Sequence, residues 1–136
     1  MKIFICASKH FYNKVADVKE YLEANGHTVT LPNSYDNPLR EEELKSTSKD
    51  DHITWKAEML RKQGEKVEQN DAIVVLNFEK NSQANYIGGA TFLEIFKAFE
   101  LGKKIYLYNP IPTSILTDEL VGINPLILNG DLSKIQ

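Results

Sequence analysis

One carboxylate, a pair of glycines and a few polar side chains carry the chemistry open to this chain. Glu94 follows Gly88-Gly89 in the stretch Asn85-Tyr86-Ile87-Gly88-Gly89-Ala90-Thr91-Phe92-Leu93-Glu94. A helix that opens at paired glycines offers bare backbone N–H groups and the positive end of its dipole, a setting for phosphate or another anion. The same pair can be only a tight loop-to-helix turn, needed for positive φ or for close packing. It is neither a GxGxxG fingerprint nor a P-loop. Glu94 has two readings as well. Helical periodicity puts Phe92, Ile95, Phe96 and Phe99 on the core stripe and Glu94 with Lys97 and Glu100 on the other side, facing water. Location argues the opposite, because the first turns of this helix must border any ligand cleft.

Other candidates are weaker. Ser8 follows the first apolar run, where a hydroxyl can cap a turn or meet a ligand. Cys6 lies inside that run, in a setting that does not favour a thiolate. His52 and Trp55 sit one helical turn apart and can either close over a nucleobase or anchor their helix to the core. His10, His27 and His52 do not have metal-ligand spacing, and no metal site or cofactor is expected.

The elements that position these residues follow in order. Lys2 to Cys6 is expected to be a buried parallel strand, short and β-rich. A loop from Ala7 to Tyr12 leads to a helix that Asn13 can cap and that Asn25-Gly26 ends. His27 to Leu31 is a second strand, stopped by Pro32. Residues 33–51 are polar, include Arg40-Glu41-Glu42-Glu43, and read as a long loop, either solvated or a mobile lid. Asp50 or Asp51 is expected to cap a helix running to about Glu68. Asp71 to Asn77 is the most hydrophobic strand and so the central one. The Gly88 to Leu101 helix ends at Gly102, and Ile105 to Tyr108 and Leu126 to Leu128 supply two more strands. With right-handed crossovers this order makes an α/β fold, a flavodoxin/Rossmann-like doubly wound parallel five-stranded sheet of order 2-1-3-4-5. Ligands in such sheets bind beyond the C-terminal strand ends, beside the order reversal. That rule gathers Ser8, Asn77, Asn85, Tyr86, Gly88, Gly89 and Glu94 around one cleft.

The 136 residues fit a single domain, 1–136, and the 42% hydrophobic and 26% charged fractions are those of a soluble globular protein. A net charge of -3 argues against general nucleic-acid binding. One cysteine, with no internal partner, points to a reducing cytoplasm. The run Ile3-Phe4-Ile5-Cys6-Ala7 is too short for a signal-peptide core or a membrane span.

Three segments together resemble the nucleoside 2-deoxyribosyltransferase superfamily, which includes the deoxynucleoside 5′-monophosphate N-glycosidases. They are Ile5-Cys6-Ala7-Ser8, then Asp71-Ala72-Ile73-Val74-Val75, then Gly88 through Glu94 followed by Ala98 and Leu101-Gly102-Lys103. The resemblance runs from Ile3 to about Pro112. It implies that Glu94 is a nucleophile that forms a covalent glycosyl intermediate with a deoxyribose, and that Ser8 touches substrate. It also implies a homodimer or larger homo-oligomer. A second nucleobase takes the sugar in transferases, and water takes it in hydrolases. Transferases often place a sugar-binding aspartate where this chain has Gly88, and the monophosphate hydrolases a serine. A base-side carboxylate of the family falls here at Gln63, which can hydrogen-bond a base but not protonate it; His52 is the substitute candidate. The expected function is therefore cleavage of a deoxynucleoside or deoxynucleotide N-glycosidic bond with transfer to another base. The alternatives are monophosphate hydrolysis, or nucleotide binding without catalysis. A flavin binder fits less well, since no Ser/Thr/Gly-rich loop follows the first strand.

Overall fold

The computed structural model describes residues 1–136. Five parallel strands form one sheet in the order β2-β1-β3-β4-β5, the order expected from the sequence. They are β1 (Lys2–Cys6), β2 (Thr28–Thr30), β3 (Ala72–Val75), β4 (Lys104–Leu107) and β5 (Leu126–Ile127). Five helices connect and cover them: α1 (Val15–Ala24), α2 (Arg40–Thr47), α3 (Lys49–Gln69), α4 (Gly89–Glu100) and α5 (Thr117–Ile123).

The two faces of the sheet carry separate cores because strand side chains alternate. Ile3, Ile5, Ala72 and Val74 pack with Val15, Val18 and Leu22 of α1. Phe4, Cys6, Ile73 and Val75 pack with Val67 of α3 and with Ile95 and Ala98 of α4. Cys6 thus lies on the face that α4 covers. Asp71, at the foot of β3, locks the register of the central pair. Its N–H donates to Lys2 O at 2.8 Å, and its carboxylate accepts from Lys2 N–H at 2.8 Å. Cys6 then lies opposite Val75, so β1 and β3 end together and their exits share one edge. Glycines with left-handed backbone end α1 at Gly26 (φ 87°) and α4 at Gly102 (φ 67°).

Four local expectations change. The exit from β1 is a 3-10 helix over Lys9–Lys14, not an open loop. Lys14, not Asn13, precedes α1. Residues 33–51 are not one long loop: they contain α2, seated by the buried Leu44. Finally, Ser48 caps α3, its hydroxyl accepting from Asp51 N–H at 3.2 Å, while Asp50 and Asp51 complement the dipole in the first turn.

Candidate functional site

Helix α4 is rotated from the orientation its hydrophobic periodicity gives: Ile95 is in the core and Phe92 packs against it, but Phe96 and Phe99 are not inside. Its buried residues are Thr91, Glu94, Ile95 and Ala98. Phe96 and Phe99 are 43% and 49% exposed, so half of the expected core stripe faces outward. The small Thr91 and Ala98 share this inner face with Ile95, which packs into the core beneath the sheet. Glu94 is carried inward on the same face and is only 7% exposed.

Burial governs the chemistry of Glu94. It pushes the carboxyl up to about 8, against the smaller pulls of the neighbouring Cys6 thiol and of the Lys66 ammonium. Burial, with the Glu94 charge adding to it, also raises the Cys6 thiol well above its ordinary value, so Cys6 remains a thiol. Lys66 is tied to the Leu31 carbonyl at 2.7 Å and lies over the Phe4 ring, 5.7 Å from its centroid. Desolvation lowers its pKa, and Glu94 acts in the opposite sense. The ammonium is thus held by Leu31 and Phe4, near enough to act on the Glu94 charge.

Glu94 borders a cavity of about 280 Å³ beyond the C-terminal ends of β1 and β2, against the first turn of α4. Ser8, Trp55, Gln63, Tyr86, Gly88 and Glu94 are brought together in its wall, with Gly89 beside them. The Ser8 hydroxyl caps nothing in the 3-10 helix it precedes. The first bond inside α4 runs from Phe92 N–H to the Gly88 carbonyl at 2.9 Å, so the N–H groups of Gly89, Ala90 and Thr91 are not used by the helix. Gly88 has extended backbone (φ -84°, ψ 174°) and is not there for positive φ. A β-carbon on it would stand 3.1 Å from the Tyr86 hydroxyl, so glycine here permits Tyr86 to close in. A β-carbon on Gly89 would meet nothing within 4 Å.

Four expected contacts are placed differently. Asn77 is fully buried and lies away from the cavity. Its amide donates to the carbonyls of Asn109 (2.9 Å) and Pro110 (3.1 Å), and its Oδ1 accepts from Asn109 N–H at 2.8 Å. It is a brace between two strand exits. Asn85 takes a left-handed turn conformation (φ 58°) and borders a separate surface hollow with Ile111 and Thr113. His52 is not in the cavity wall; its Nε2 lies 2.9 Å from Glu41 Oε2, and its ring stacks on Trp55. Gln63 is in the wall, but its Nε2 donates to the Ala90 carbonyl at 3.0 Å and holds the first turn of α4.

The cavity also contains groups that sequence reasoning did not select. Tyr12 lines it, its phenol pushed up to about 12 by burial and by the Glu94 charge. Lys9, Glu41 and Lys56 line it too. Burial favours the neutral acid at Glu41, but the bonds from His52 and Lys56 prevail and hold its carboxyl below the ordinary range. Glu41 looked like part of a solvated acidic run. The available signal was its place three residues before Leu44, which puts both on the inner face of α2.

No family model and no curated protein sequence matches this chain. Solved structures do. One is a CMP N-glycosidase from Clostridium botulinum, 17% identical, with a TM-score of 0.55 over 95% of this chain and 90% of that one. A second is the 2-deoxyribosyltransferase of Bacillus psychrosaccharolyticus, 21% identical, with a TM-score of 0.54 over 81% of this chain and 73% of that one. A third is the 2-deoxyribosyltransferase of Leishmania mexicana, 18% identical, TM-score 0.53, covering 81% of this chain and 67% of that one. The chain thus shares the fold of nucleoside 2-deoxyribosyltransferases and of a nucleotide N-glycosidase.

Proposed function

We propose that the chain is a member of the nucleoside 2-deoxyribosyltransferase superfamily and cleaves the N-glycosidic bond of deoxynucleosides or deoxynucleotides through Glu94. The observation that carries this reading is the inward turn of Glu94. A single carboxylate is desolvated at the floor of a nucleoside-sized cavity, beside unused backbone N–H groups and a free serine hydroxyl. An anion held in such a place stabilises an oxocarbenium-like transition state and then bonds to it. A Glu94 oxygen attacks C1′ and the C1′–N bond breaks. Its electron pair leaves with the base, which takes up a proton from water. A second base, or water, then attacks C1′ and releases Glu94. Transfer to a base is the first reading.

Monophosphate hydrolysis is the second reading. It is supported by the bare α4 N-terminus and the Ser8 hydroxyl, which together suit a phosphate, and by the lack of a carboxylate at Gly88. A homo-oligomer is part of the proposal. The outward face of α4, with Leu93, Phe96 and Phe99, needs cover. It adjoins a groove between α3 and α4 that also reaches Glu94. No helix is long and apolar enough to cross a membrane, and the one free, buried cysteine suits a cytoplasmic enzyme.

The test is to incubate the protein with each deoxynucleoside and deoxynucleoside monophosphate, with and without a second base, and to chromatograph the products. Free base without an acceptor marks hydrolysis; exchanged base marks transfer. No release from any substrate rejects the enzyme reading and leaves a nucleotide-binding module.

A further inference from the structure

In the cavity that Glu94 borders, α2 and α3 build a wall from Glu41, Lys56 and Trp55. Two features of that wall go beyond the cleavage step. One concerns Glu41. The imidazole Nε2 of His52, at 2.9 Å, and the Lys56 ammonium, at 3.2 Å, both lie against the same oxygen, Oε2. The carboxylate is thus fixed and charged with Oε1 left over, on a residue that lines the cavity. An ionised carboxylate accepts hydrogen bonds and cannot donate one. The other feature is Trp55. It presents an aromatic surface in the same wall, backed by the His52 ring at an angle of 27°. A ring of that kind stacks on a nucleobase of any identity, so stacking alone does not choose among bases. Glu42 on α2 pairs with Lys9 at the exit of β1, which holds α2 over the cavity.

We propose that Glu41 is a specificity-determining residue that selects amino-bearing nucleobases, with Oε1 accepting from the exocyclic amine while the base lies on Trp55. The comparison of cytosine with uracil shows why. The two have the same shape. The cytosine amine offers N–H groups at a ring corner flanked by one ring nitrogen and one C–H. Uracil presents a carbonyl there, whose lone pairs face the carboxylate. Its single N–H stands between two carbonyls, so any approach by Glu41 meets a like partial charge on each side. The Lys56 ammonium beside Glu41 can donate to the acceptor that neighbours the amine in cytosine or adenine. This inference rests on the cavity being a nucleoside site, as proposed above.

Trp55 is the sole tryptophan in the chain, so its fluorescence reports this wall alone. The test titrates dCMP, dUMP, dAMP and TMP into the Glu94→Gln protein and follows Trp55 quenching. Quenching by dCMP and dAMP at about tenfold or more lower concentration than by dUMP and TMP is expected, the value of one charge-assisted hydrogen bond. Adding Glu41→Gln should remove that preference, because an amide can donate to a carbonyl as well as accept from an amine. Equal affinity for dCMP and dUMP in the parent protein overturns the proposal without any variant at Glu41. So does an equal loss for all four ligands in the Glu41→Gln protein. Base release with unselective quenching rejects the Glu41 assignment alone. Selective quenching with no base release from the unaltered protein keeps Glu41 and rejects the cleavage reading.

Discussion

At the scale of the residue, the deciding fact is that Glu94 is buried, and this has consequences with definite signs. With a carboxyl near 8, Glu94 is mostly neutral at pH 7, and the proposed mechanism requires it to ionise before it attacks. The kcat/KM for base release should therefore rise with pH up to about 8 and then level, a limb that reports the free enzyme. Cys6→Ala removes a neighbouring thiol that favours the ionised form, so it should move this limb to higher pH and leave the plateau nearly unchanged. The linkage to stability runs the other way. Glu94 titrates near 4.5 when unfolded and near 8 when folded, so the folded state holds the extra proton between those values. Its contribution is fully present below pH 4.5 and is lost progressively as pH rises to about 8, by up to about 5 kcal/mol. Glu94→Gln lacks this penalty. Its Tm should match that of the parent near pH 4.5 and exceed it increasingly toward pH 8.5. Base release by the same variant should fall by at least about 10³-fold.

At the scale of the element, α4 and α2 are the two places where sequence periodicity misdirects. The wheel of α4 sorts residues by polarity, and it puts Phe96 and Phe99 inside and Glu94 outside. The fold instead sets Thr91, Glu94, Ile95 and Ala98 inward, a rotation that the wheel of a single helix does not state. Leu93, Phe96 and Phe99 lie about half exposed on α4, and the proposed homo-oligomer would cover them. Phe96→Glu is expected to shift the protein to a smaller species in sedimentation or light scattering, with its far-UV spectrum unchanged. A variant of unaltered mass would exclude α4 as the subunit contact. In α2 the acidic run masks Leu44, the one anchor under that helix. Leu44→Ala should cost about 2 kcal/mol or more locally. Hydrogen exchange in residues 40–47 should quicken while the sheet stays protected.

At the scale of the whole molecule, the architecture was legible because it depends on coarse signals. Five short strand-like runs with helical segments between them, Asn25-Gly26 and Gly102 at helix ends, and the handedness of crossovers are enough to order the sheet as 2-1-3-4-5. The switch-point rule likewise brings Ser8, Tyr86, Gly88 and Glu94 to one cleft, where the structure has them. It fails for Asn77 and Asn85. Both stand at the right strand end, but hydrogen bonds to Asn109 and Pro110 consume the first, and a turn carries the second to another hollow. The α2–α3 wall of the cavity was legible only in Trp55; Glu41 and Lys56 reach it through the docking of α2 on α3, which the acidic run around Leu44 obscured.

The most direct test of Glu94 as nucleophile is intact-protein mass spectrometry of the enzyme quenched in acid during turnover with a deoxynucleoside or its monophosphate. The predicted result is a species heavier by one deoxyribosyl or deoxyribosyl-phosphate group, mapped to the peptide containing Glu94 and absent from Glu94→Gln. Base release that proceeds equally well in the Glu94→Gln protein, or an adduct mapped to another residue, would contradict it.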